Sequence, residues 1–186
     1  MLTTTDAIVL SLQPHSDKAH LLHAYTRAGG RVNYMVYGLG RKNTSGRYTP
    51  LSILQLTTDE RSIRTAQLMY VPRTIDTNPY KRTIALFISE VLYHVLRHPM
   101  ADEPMFDFLS GAIQALDESD DPRNFHLLFL IRLAAKLGFE MVEEPPLPRT
   151  RAERQKTLRT LCAYFDEHVE TWQEPKSLDI LMEVFD

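Results

Sequence analysis

Among its 186 residues the chain has a single cysteine, Cys162. One thiol permits neither an internal disulfide nor a cysteine-rich zinc site. Long apolar runs are also missing: Leu127 to Ile131 is five residues, against the ~20 that a membrane span needs. The opening MLTTTDAIVL has no basic region ahead of its apolar stretch, so it does not read as a secretory signal. The short motifs of nucleotide and hydrolytic chemistry are absent too. There is no G-x-x-x-x-G-K-[ST], no G-x-G-x-x-G after a strand, no G-x-S-x-G and no H-E-x-x-H. These absences lead to the expectation of a soluble, intracellular protein that is not an enzyme and crosses no membrane.

What is present is an ordinary folding balance, 44% apolar and 24% charged. The length fits one large domain or two small ones. The net charge of −3 conceals an uneven distribution. Residues 1–82 hold 11 Lys/Arg against 5 Asp/Glu, a net of +6; residues 83–186 hold 10 against 19, a net of −9. An acidic total argues against a polyanion ligand, but a basic half joined to an acidic half does not.

The hydrophobic period changes where the charge does. Up to about Ile75 the chain alternates as strands do. AIVLSLQ (7–13) is expected to put Ile8, Leu10 and Leu12 on one side. HLLHAYTR (20–27) and RVNYMVYG (31–38) are split by Gly29-Gly30 and read as a hairpin. GLGRKNTSGRYTP (38–50) reads as a long exposed basic loop, and LSILQLTT (51–58) and IRTAQLMYV (63–71) as two more strands. Five strands with short turns predict a small antiparallel barrel of the OB type. Beyond Asn78-Pro79, a cap and a first helical residue, Ile84, Phe87, Ile88, Val91, Leu92 and Val95 recur at helical spacing. Met105 to Leu116, Phe125 to Leu137, 151–172 and 177–185 predict further helices, with Gly138 ending the third and a Pro-rich linker at 140–150. The expected architecture is therefore β + α in two domains: a five-stranded OB-fold barrel (1–78) followed by a helical bundle (79–186).

Candidate chemistry is sparse. His20 and His23 fall on opposite faces of a strand. His94 and His98 have the four-residue spacing of one helix face, but Glu90 preceding His94 by four is more simply a solvated ion pair. Cys162 sits among Leu158, Leu161 and Phe165 and reads as a small core residue. Glu143 and Glu144 beside prolines read as solvated linker. No catalytic grouping emerges. The positive constellation is in the barrel, where Arg31, Arg41, Lys42 and Arg47, with Arg27 just before them, interleave with Tyr34, Tyr37 and Tyr48. Single-stranded nucleic acid is held by cations that follow phosphates and by aromatic faces on which bases stack. Tyr34 and Tyr37, three apart on a strand, must include at least one core residue. The DNA-binding candidates are therefore Arg27, Arg31, Tyr37, Arg41, Lys42, Arg47 and Tyr48.

At this point the residues resemble a known family, recombination protein O (RecO), the bacterial DNA-repair mediators. The resemblance rests on AIVL (7–10), SDKAH (16–20), YTRAGGR (25–31), YGLGRK (37–42), GRYTPLS (46–52) and TAQL (65–68) in the first half. LAAKLGF (133–139) and PKSLDILMEVF (175–185) carry it through the second. It implies an OB-fold joined to a helical domain and a cytoplasmic, nucleoid-associated protein. It implies binding of single- and double-stranded DNA, annealing of complementary strands and help in loading RecA. The implied partners are RecR and the acidic C-terminal tail of single-stranded DNA-binding protein, for which Arg132 and Lys136 flanking an apolar groove are candidate contacts. Many family members carry a zinc module of paired cysteines where this chain has 140–150, so neither zinc nor any other cofactor is expected here. The rival reading is a protein-only adaptor that uses the barrel for protein contacts.

Overall fold

The alternating first third of the chain closes on itself. In the computed structural model, which describes residues 1–39 and 45–184, five strands run β1 (Leu2–Ser16), β2 (Ala19–Thr26), β3 (Gly30–Tyr37), β4 (Ile53–Asp59) and β5 (Ser62–Leu68), with a 3-10 turn at Ser45–Tyr48. They form a closed barrel in the order β1-β2-β3-β5-β4. The long β1 makes this possible by pairing antiparallel with β2 along one stretch and with β4 along another. Closure between β3 and β5 is parallel and rests on one residue pair, Met35 with Ser62. That makes the sheet mixed where the sequence suggested antiparallel strands throughout. Five helices follow: α1 (Pro79–Val95), α2 (Glu103–Glu118), α3 (Phe125–Lys136), α4 (Arg151–His168) and α5 (Leu178–Val184). No helix among the described residues is long and apolar enough to cross a membrane.

The chain divides into two compact units. One holds Met1–Pro72 with Leu96–Gly111, the other Arg73–Val95 with Ala112–Asp186. In the first, the barrel is filled by Ala7, Val9, Leu22, Ala24, Tyr34, Val36, Tyr48, Leu54, Leu56 and Ala66. The inward residues of β1 are thus Ala7 and Val9, not Ile8 and Leu10, which are buried on the strand's other side. The register shifts between Val9 and Ser11. A bulge there reverses the parity of the strand, which is why Leu12 rejoins the inner face. Residues 96–106 pack on the β2–β3 hairpin. The Arg31 amide donates to the His98 carbonyl at 3.1 Å, and Arg27 lies over the Phe106 ring at 4.4 Å. Gly30, at φ +61°, permits this approach, because a Cβ there would sit 2.2 Å from the Met100 carbonyl oxygen.

In the second unit α1 packs against α3 and α5, and α3 against α4. The start of α1 is held twice. The Asn78 side chain accepts from the Tyr80 and Lys81 amides. The buried Asp117 carboxylate accepts from the amides of Arg73, Thr74 and Ile75 at 2.8–2.9 Å. Lys81 is buried beside it, its Nζ donating to Thr74 Oγ1 and the Asp117 carbonyl. Glu90 accepts from the Ser177 amide and hydroxyl, which sets the entry to α5. Helix α4 starts in a capping box, Thr150 with Glu153, and stops at His168, short of the expected 172. Val169 is extended there (φ −120°, ψ 102°), so Trp172 does not continue the helix but packs back on Phe165 at 5.3 Å.

Candidate nucleic-acid interface

The expected cationic cluster is divided by the strand that carries it. Arg31 is the second residue of β3, opposite Tyr25, and Tyr37 ends the strand opposite Ala19. Six residues of strand at about 3.3 Å each separate them by roughly 20 Å. At the Arg31 end the surface is covered. Tyr25 is 4% exposed, and burial, reinforced by the Asp102 charge, pushes its phenol up to about 12. Arg27 is committed within the same unit, with Asp107 at 2.8 Å, Asp6 at 3.6 Å and the Phe106 ring beneath it. The Asp107 bond, ahead of the charges of Asp107, Asp6 and Glu103, raises its pKa. Arg27 is thus a clamp on residues 106–107 rather than a presented cation. Arg31 is half-buried.

At the other end of the barrel the described residues leave an aromatic side chain exposed. Tyr37 is 61% exposed, whereas Tyr34 is a core residue at 6%. Tyr48, expected to offer a stacking face, instead points into the barrel core at 7% exposure, and burial raises its pKa. Its neighbour Arg47 donates to the Ala66 carbonyl of β5, so the 3-10 turn plugs the space left where β3 and β5 part. Beside the plug lies a cleft of 350 Å³ lined by Val36, Tyr37, Leu39, Arg47, Tyr48, Ile63 and Arg64, with Thr65, Ala66 and Gln67 completing its β5 side. Arg41 and Lys42 lie outside the described residues.

Topology gathers cations here that the sequence reading passed over. Lys18 sits in the β1–β2 turn, its carbonyl accepting from the Gly38 amide at 3.4 Å, one residue past Tyr37. Arg61 sits in the β4–β5 turn, its carbonyl accepting from the Met35 amide at 2.7 Å. Arg64 lies on β5 and pairs with Asp59 at 2.9 Å. That bond, more than the N-terminal ammonium nearby, holds the Asp59 carboxyl below its ordinary range. The signal that finds these residues is pairing: the β2–β3 register sets Ala19 opposite Tyr37 and so brings Lys18 close, and the β3–β5 pairing brings Arg61 and Arg64 to the same end.

On the helical unit Arg132 and Lys136 are both exposed, one turn apart on α3. A separate groove of 630 Å³ runs between Pro145–Pro148 and the α4 residues Glu153, Lys156, Thr157 and Thr160. Helix α1 ends at Val95, so His98 lies beyond the helix and does not share a face with His94. A four-thiolate zinc site does not fit the residues present. The single thiol, Cys162, is buried in α4, where desolvation pushes it up to about 12.

Comparison with known proteins places this architecture. The model described as recombination protein O N terminal matches residues 1–70, and that described as recombination protein O C terminal matches residues 77–143. A DNA repair protein RecO from Porphyromonas gingivalis is 35% identical over 150 residues, covering 74% of this chain. The chain belongs to the recombination protein O family. Its match spans 61% of that relative's own length. Family proteins from Flavobacterium johnsoniae and Christiangramia forsetii are 29% and 24% identical and are covered over 98% and 100% of their lengths. The F. johnsoniae alignment covers 97% of this chain and runs over 236 positions against the 186 residues here, so that relative carries segments with no counterpart in this chain.

Proposed function

We propose that this RecO-family chain is a DNA-repair and recombination mediator. In this reading it binds single- and double-stranded DNA, anneals complementary strands, and assists RecA loading onto strands coated with single-stranded DNA-binding protein. The observation that carries the reading is one end of the barrel: an exposed tyrosine, Tyr37, with Lys18, Arg47, Arg61 and Arg64 on the elements around it. Annealing requires no bond chemistry. Screening the charge of two strands lets base pairing proceed, and a protein can do this with cations and stacking faces alone. RecR and the acidic tail of single-stranded DNA-binding protein are the proposed protein partners, the tail engaging Arg132 and Lys136.

The test is fluorescence annealing of complementary oligonucleotides across a salt series, with and without single-stranded DNA-binding protein. The reading expects annealing to accelerate at low salt and to persist on coated strands. No acceleration at any salt concentration overturns it. A second reading, the barrel as a protein-only adaptor, is favoured by Leu68, Met69 and Val71, exposed at 44%, 53% and 68%. Charge reversal at Arg41 and Lys42 separates the two: DNA affinity collapses under the mediator reading and survives under the adaptor one.

A further inference from the structure

The face that small OB barrels commonly offer to oligonucleotides, strands 2 and 3, is covered at one end in this protein. Residues 98–100 lie on the hairpin at Gly30, Tyr25 is buried, and Arg27 is held by Asp6 and Asp107. Among the described residues, a strand crossing β2–β3 therefore meets protein at the Arg31 end and the exposed Tyr37 at the other. At the Tyr37 end β3 and β5 separate beyond Met35–Ser62, and the 350 Å³ cleft forms between them. The residues lining it bring three chemistries: aromatic rings in Tyr37, which is exposed, and Tyr48, which is buried; guanidinium groups in Arg47 and Arg64; and a side-chain amide in Gln67. A guanidinium carries five N–H donors, of which Arg47 gives one to Ala66. Arg64 shares its carboxylate partner Asp59 with the N-terminal ammonium, and an exposed pair of this kind is readily exchanged for a phosphate.

We infer that this cleft takes one unstacked base of a single DNA strand. The base stacks on Tyr37, turns its polar edge to Gln67, and has its flanking phosphates met by Arg47 and Arg64. This deepens the function proposed above and rests on it. A paired base in a duplex offers no free face, so the cleft favours single strands over duplex. Asp17 adjoins Lys18, and Asp59 and Glu60 precede Arg61, so these charges partly offset one another and stacking on Tyr37 sets the cleft's preference for single strands.

The experiment measures affinity of the full chain for a single-stranded 20-mer carrying 2-aminopurine, and for the matching duplex, from 50 to 300 mM salt. Tyr37→Ala is expected to weaken single-strand binding about tenfold. The loss should be equal at every salt concentration, so the salt slope is unchanged, and duplex affinity should stay within twofold. Tyr37→Phe keeps the ring and should stay within twofold on both. Quenching of 2-aminopurine on binding should disappear with Tyr37→Ala and remain with Tyr37→Phe. The inference is overturned if Tyr37→Ala lowers single-strand and duplex affinity alike, or lowers neither while the unaltered chain binds the 20-mer. If the unaltered chain binds neither DNA at 50 mM salt, the proposed function itself fails.

Discussion

Gly30 and Gly29 adjoin in one hairpin turn and should respond in opposite ways to an added methyl group. Gly30 has φ +61° and no space, with the Met100 carbonyl 2.2 Å and the His98 carbonyl 2.8 Å from a hypothetical Cβ. Gly29 would meet Thr26 Oγ1 at 3.3 Å and Val32 Cγ2 at 3.4 Å, with no positive φ to strain. Gly30→Ala combines about 1–2 kcal/mol of backbone strain with displacement of residues 98–100. It should lower the urea midpoint markedly, whereas Gly29→Ala should cost less than about 1 kcal/mol. Equal midpoints for the two variants would contradict the contact with 98–100. His126 makes a second prediction at this scale. It is 2% exposed, and desolvation, aided by the Arg154 charge, lowers its pKa to about 3. Folded His126 is then neutral from about pH 3 upward, while the unfolded ring takes up a proton below about 6.5. The unfolded state binds more protons across that window, so stability falls as pH drops from 6.5 towards 3, by at most about 1.4 kcal/mol per pH unit. His23 is shifted in the same direction, by burial first. Urea titrations between pH 7.5 and 5.5 should show a shallower pH dependence for His126→Gln than for the unaltered chain. An identical slope would place the ring's protonation elsewhere.

Among the elements, what the sequence made legible was period and punctuation. The change from alternation to helical spacing near Asn78-Pro79 marks where the strands stop, and Asn78 does cap α1. Helix α4 begins at Arg151 for a reason visible in four letters, T-x-x-E. Thr150 Oγ1 accepts from the Glu153 amide at 3.2 Å, and Glu153 Oε2 accepts from the Thr150 amide at 3.1 Å. Those backbone donors, with the Arg149 amide first, hold the Glu153 carboxyl below its ordinary range. Thr150→Ala should cost about 1 kcal/mol and Thr150→Ser much less, read as urea midpoints followed by circular dichroism at 222 nm. Features set by tertiary pairing were not legible. Spacing alone put Ile8, Leu10 and Leu12 on one side, because the bulge after Val9, which turns Leu12 to the other face, has no sequence mark. It gave Tyr48 to solvent, because nothing local shows that the 3-10 turn plugs the barrel between β3 and β5. It grouped Arg27 and Arg31 with Arg47 because they are near in sequence, whereas β3 sets Arg31 and Tyr37 at opposite ends and brings Lys18 and Arg61 beside Tyr37 instead.

For the whole molecule, the question is how a chain of net charge −3 attracts a polyanion. Screening supplies the answer. At physiological ionic strength charges are felt over about 8 Å, so a DNA strand responds to the cations it touches and not to the total. Residues 1–82, with a net of +6, include Lys18, Arg47, Arg61 and Arg64 as well as Arg41 and Lys42. The net of −9 lies in residues 83–186. If four phosphates of a single strand are neutralised at once, log K should fall against log salt with a slope of roughly −2.8, about fifty-fold between 50 and 200 mM. Reversing Lys18 and Arg61 together should flatten that slope by roughly 1.4 if each meets one phosphate. Reversing Arg132 and Lys136 should leave slope and DNA affinity unchanged while weakening capture of the acidic tail of single-stranded DNA-binding protein. A slope near zero in the unaltered chain would remove phosphate contact as the basis of binding and leave stacking alone. A slope that flattens on reversing Arg132 and Lys136 would show that the acidic half carries part of the DNA track.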